Sequence, residues 1–211
     1  GGTWCAQVPA CSAVAVYADY QPTLNRACEL AHILGEASLR DRLIAYPAIA
    51  QNPSLLSCEI AGRFFMDAFL AQLLEETEWE RREHAAVLWQ ALRQIGVNLL
   101  HLPFRFELSH RLHEERRHGY LSVNDINKLT NTIWEDYFAD TVRGSDQYVW
   151  AAKLHFYLPR EPHYDWQYTA GYLIAAVLRR RLLADGCTAC GGSFGDFLSC
   201  LLYTSDAADD K

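Results

Sequence analysis

From Thr23 onward, apolar residues recur at three- and four-residue intervals, and each run is closed by a cap or a breaker. That pattern leaves room for little besides a mainly α fold. Leu24, Ala27, Ala31 and Leu34 set the spacing of a first helix, predicted to run to about Ile44. Asn52-Pro53 reads as the start of a second, reaching about Glu75, with Asn as N-cap and Pro in the first helical position. A third helical stretch covers Glu78 to His118; Pro103 kinks or divides it, and Gly119 ends it. Ser122-Val-Asn-Asp125 is a capping box for a helix carrying Ile126, Leu129, Ile133 and Trp134 and continuing to about Tyr157. After the proline-flanked loop Pro159-Arg-Glu-Pro162, a last helix is predicted to end at Gly186. Ala13 to Tyr20 is the one stretch whose β-branched and aromatic content reads as a strand.

No repeat or linker divides residues 1–200, which read as a single domain. Residues 201–211 break the pattern and read as a non-native tail, so the sequence looks like a piece of a longer chain. Half of the 211 residues are hydrophobic, enough for a sizeable core. The net charge of −7 gives no electrostatic case for nucleic acid or an anionic membrane surface. No apolar run approaches the ~20 residues that a membrane span requires. The seven cysteines are scattered and odd in number, which points to free thiols in a reducing, cytoplasmic setting. Cys187 and Cys190 form a lone C-x-x-C in a glycine-rich stretch and read as thiols in a turn.

Four segments have chemistry to weigh. His113-Glu-Glu-Arg-Arg-His118 is eye-catching but wrongly spaced: a zincin helix needs histidines four apart on one face, and here the gap is five. Its charge density suits a solvated helix end. His32 and Glu36 stand i,i+4, able to share an ion, although Glu36 paired with Arg40 at the same spacing is the simpler reading. Glu59 falls early in the second helix, with Arg63 placed to neutralise it. From His155 to Tyr168 the chain is rich in His, Tyr and Trp, which suits hydrogen bonding to a substrate carbonyl or, equally, aromatic packing.

Taken together and in order, these segments resemble the thimet oligopeptidase / oligoendopeptidase F family of zinc metallopeptidases. Gly1-Gly2-Thr-Trp-Cys5 is similar to its edge-strand segment. Leu30-Ala-His-Ile-Leu-Gly-Glu36 falls on its L-A-H-E-L-G-H, and Glu59-Ile-Ala-Gly62 on its E-x-A-S. Phe104-Arg-Phe-Glu107 is similar to its F-x-F-E helix, and His155-Phe-Tyr157 through Tyr164, Tyr168 and Gly171 to its substrate loop. The resemblance implies a zincin-like catalytic domain with a short β edge strand near the cleft. It also implies a zinc site of His32, Glu36 and Glu59, short peptides as substrates, and His155, Tyr164 and Tyr168 as substrate-binding residues.

Two positions depart from the family pattern. Ile33 occupies the place of the Glu that serves as general base, and it cannot accept a proton. Glu36 replaces the second ligand histidine, giving harder ligation that suits Mn or Fe about as well as Zn. The resemblance thus implies a peptidase that is impaired or inactive. A non-catalytic peptide- or partner-binding descendant and a redirected His/Glu/Glu metal enzyme stand as alternatives. All three require His32 and Glu59 to meet, well within about 10 Å of each other, since ligands sharing an ion each stand ~2 Å from it.

Overall fold

A computed structural model describes residues 2–76, 78–158 and 163–184 and is mainly helical. The described chain groups into two compact units, residues 2–91 with 170–184, and residues 92–169. Among the described residues, no helix is long and apolar enough to cross a membrane.

The first unit opens with a hairpin of β1 (Trp4–Val8) and β2 (Ala13–Tyr17), antiparallel and in register from Trp4↔Tyr17 to Val8↔Ala13. The Trp4 and Tyr17 rings stack across the open end, 5.7 Å apart. The predicted strand is therefore real but stops at Tyr17. Its partner β1 was not evident from residue type, because Cys5, Ala6 and Gln7 carry no β-branched signal.

Helix α1 (Leu24–Leu43) starts where the Thr23 hydroxyl accepts from Arg26 N–H and ends with Arg40 and Arg42 in its last turn, where cations favour the helix dipole. Helix α2 (Leu55–Glu75) begins later than expected. Its cap is Ser54, whose hydroxyl accepts from Ser57 N–H at 3.1 Å, and Asn52-Pro53 lies just outside the helix. Two further helices enter this unit: α3 (Arg81–Gly96) at its start, and α7 (Trp166–Ala184) from Ala170 onward. Leu39 and Leu43 of α1, Cys58, Ala61 and Phe64 of α2, and Ala175 of α7 make one buried cluster. Cys28, Met66, Leu70 and Val87 make a second. The thiols of Cys28 and Cys58 are pushed up to about 11 and about 12 by burial, so both stay protonated and behave as small apolar groups. Cys5 and Cys11 are free thiols as well, and Cys187, Cys190 and Cys200 lie outside the described residues.

In the second unit, the expected break near Pro103 takes a specific form. A π-helical turn, Val97–His101, leads without a break in the helical backbone into α4 (Leu102–His118), and this wider turn directly precedes Pro103, which has no N–H to donate. Gly119 ends α4 (φ +152°). The Ser122–Asp125 capping box forms at both of its hydrogen bonds and starts α5 (Val123–Phe138). The predicted continuation to Tyr157 fails: Ala139 turns to φ +43° and stops the helix. A short helix α6 (Val149–Ala152) and a 3-10 turn, Leu154–Tyr157, follow instead. Phe104, Leu108, Ile133 and Val149 form the core of this unit, with Trp134 edge-on to Phe104 at 5.3 Å. His113 to His118 is exposed throughout, as the charge density implied. The end of the last helix near Gly186 lies outside the described residues.

Candidate metal centre

Backbone proximity between α1 and α2 builds the site. A Cβ on Gly35 would lie 2.4 Å from the Ala61 carbonyl oxygen, so only a glycine permits the two helices to approach this closely. One turn along α1, His32 lies flat over Gly62, where an added Cβ would meet the imidazole at 2.5 Å. On α7, Gly171 similarly gives room to Glu59, whose Cβ would be 2.7 Å from a side chain placed there.

These approaches bring together the three residues that the sequence singled out. His32 Nε2 lies 3.0 Å from Glu36 Oε1 and 3.7 Å from Glu59 Oε2. One donor atom from each residue falls within 4.8 Å of the others. The simpler pairing, Glu36 with Arg40, does not form; the Arg40 guanidinium donates to Cys58 Sγ at 3.6 Å. Arg63 does approach Glu59, Nε to Oε2 at 3.5 Å. Glu59 is 5% exposed, and burial raises its pKa against the opposing pull of His32 and Arg63.

The donor set fits a divalent cation. Glu59 Oε2 is buried without a hydrogen bond, facing Arg63 Nε at 3.5 Å and His32 Nε2 at 3.7 Å, so its lone pairs remain open to an ion. The distances also suit ligands arranged about one ion at ~2 Å each. One imidazole with two carboxylates favours a hard or borderline ion. The orienting hydrogen bond that ligand histidines usually make from their second nitrogen is missing, since His32 Nδ1 is buried without a partner. The ring is seated instead against Gly62. Ile33 is 6% exposed and apolar, so the position beside His32 supplies no base.

Asp67 was not anticipated. It follows Glu59 and Arg63 at i,i+4 steps along α2, a spacing legible in hindsight. Desolvation pushes its pKa up to about 6, against the attraction of Arg63, Arg179 and His32. The folded pKa exceeds the unfolded one, so Asp67's contribution to stability is full below about pH 3.8 and is lost as pH rises through about 6. Asp67→Asn is therefore expected to stabilise the protein by roughly 2 kcal/mol at pH 8 and by nothing at pH 3.5. Urea melts at the two pH values measure this; equal effects at both would contradict it.

The substrate-binding residues expected from the sequence lie in the second unit, which brings them together. The His155 ring stacks on Tyr164 at 5.1 Å and meets Tyr168 edge-on at 6.3 Å; the two tyrosine rings are 5.6 Å apart. Sequence reasoning gave Arg105 and Asp165 no part in this cluster, yet they anchor it. Arg105 Nη2 donates to His155 Nδ1 at 2.5 Å and pairs with Asp165 Oδ1 at 2.9 Å. A guanidinium can only donate, so Nδ1 is the acceptor and the imidazole proton sits on Nε2. Burial and the Arg105 charge both lower the His155 pKa, which keeps the ring neutral with one N–H to offer.

Compared with family models, curated proteins and solved structures, the chain finds no match.

Proposed function

We propose that the chain holds a divalent cation between His32, Glu36 and Glu59 in a peptidase-type catalytic core that binds short peptides and has lost most of its hydrolytic power. The convergence of three donors from two helices within 4.8 Å carries this reading. When bound, such an ion would act as a Lewis acid toward a peptide carbonyl. Among the chain's own residues, Glu59 contributes a desolvated carboxylate and Arg63 limits its repulsion with Glu36. His155, held by Arg105, offers an Nε2–H to a carbonyl oxygen, and Tyr164 and Tyr168 supply aromatic surface beside it. Ile33 leaves no group to take a proton from attacking water. This favours peptide retention over turnover, in keeping with a cytoplasmic metallopeptidase relative that has become a binder.

Mn2+ is the suitable probe, since it prefers oxygen-rich sites and avoids the cysteines. The purified protein is expected to take up one equivalent, followed by loss of the free-ion paramagnetic resonance signal. Glu59→Gln or His32→Ala should weaken uptake by ~10²-fold or more, beyond the effect of losing an outer partner. Uptake indifferent to both changes would sink the proposal.

A further inference from the structure

The second unit holds a group of imidazoles that the centre above leaves unused. His110 and His113, both exposed, stand i,i+3 on one face of α4, and His163 comes up against them from the loop before α7. The His163 ring centre is 5.4 Å from that of His110 and 5.2 Å from that of His113. Three imidazoles bound to one tetrahedral ion, with metal–nitrogen bonds of about 2 Å, hold their ring centres roughly 5 Å apart.

Second contacts point the same way. His113 Nδ1 lies 2.7 Å from the Ser109 carbonyl oxygen, which can only accept, so the proton is on Nδ1 and Nε2 keeps its lone pair. Donation of the outer N–H to a backbone carbonyl is the usual orientation of a metal-binding histidine. His110 Nε2 has the Glu114 carboxylate 3.4 Å away, the other common outer partner, which leaves Nδ1 for a ligand. His163 sits at φ +59°, unusual for a non-glycine residue, and its Nδ1 is buried without a hydrogen-bond partner.

We infer that His110, His113 and His163 form a second metal site, selective for a nitrogen-seeking divalent ion such as Ni2+, Cu2+ or Zn2+ rather than for Mn2+. Among the described residues, only the donors of His32, Glu36 and Glu59 already lie within 4.8 Å of one another. Closing the imidazole site takes rotation of the His110 and His163 rings about their Cβ–Cγ bonds, a soft torsion that leaves the ring centres almost in place, while His113 keeps its bond to Ser109 and the exposed Glu114 follows His110. The His113–His118 spacing, wrong for a zincin helix, has no bearing on this arrangement, which uses His113 with different partners.

The test follows imidazole resonances of the whole chain by NMR as Ni2+ is added, a readout specific to each histidine and blind to metal taken by cysteines. Signals of His110, His113 and His163 are expected to broaden together, at Ni2+ levels unchanged by Glu59→Gln. His163→Asn, with a side chain that tolerates positive φ, should abolish the broadening of His110 and His113 at those levels. If the pair broadens undiminished in His163→Asn, it is an ordinary surface pair and the inference is overturned. The same holds if His163 never responds. Failure of Mn2+ binding at His32 and Glu59 would leave this result untouched, so the two readings fail separately.

Discussion

A quenched-fluorescence peptide is expected to be hydrolysed no faster by this protein than by its metal-stripped control, whereas Ile33→Glu combined with Glu36→His should give measurable, zinc-dependent cleavage. The reason lies in two adjacent turns of α1. A positioned general base is worth ~10²–10⁴-fold in rate, and Ile33 cannot be one. Glu36 already lies 3.0 Å from His32 Nε2, and as a ligand in the proposed site it cannot serve as base without leaving that position. Ile33→Glu alone should recover little, because a second carboxylate ligand donates charge to the ion and weakens it as a Lewis acid. It also sets a carboxylate where Ile33 is only 6% exposed, so circular dichroism must accompany the assay. Vigorous, chelator-sensitive turnover by the unmodified protein would reverse this reading and make Glu36 the base.

What the sequence revealed and what it hid divide along the range of the interactions involved. Thr23, Ser122 with Asp125, Pro103 and Gly119 act on their own turn of chain, and each marks an element boundary in the structure. His32 with Glu36 was legible for the same reason, being one helical turn apart. The local signal misled at Asn52-Pro53, because the Ser54 hydroxyl, not read as a cap from the sequence, reaches Ser57 N–H and starts α2. Ala139 carries no signal of its own for φ +43°, so the end of α5 was invisible. Several contacts set by distant partners were hidden: the pairing of β1 with β2, Asp165 against Arg105 across 60 positions, and His163 against His110 and His113. The joining of Glu59 to His32 was foreseen only through family resemblance; residue spacing alone made Glu59 structural.

Gly35→Ala and Gly62→Ala, one helix apart, should have opposite consequences. Each replacement gains up to ~1 kcal/mol of helix propensity. At Gly35 the new methyl meets backbone: the Ala61 carbonyl oxygen at 2.4 Å, its carbon at 2.9 Å and Gly62 Cα at 3.0 Å. Backbone cannot step aside, so α1 and α2 must separate along the seam that buries Leu39, Leu43, Cys58 and Ala61. Overpacking of this kind costs 1–3 kcal/mol or more, and the net loss should be about 2 kcal/mol, or several degrees in Tm. At Gly62 the nearest atoms to the methyl belong to the His32 ring, at 2.5–2.7 Å, the movable end of a side chain. There Tm should hold or rise slightly, while Mn2+ uptake falls as the imidazole is pushed off its seat. Thermal melts beside Mn2+ titrations separate the two outcomes. A Gly35→Ala protein as stable as its parent would refute the close approach of α1 and α2. A Gly62→Ala protein that binds Mn2+ normally would remove His32 from the ligand set.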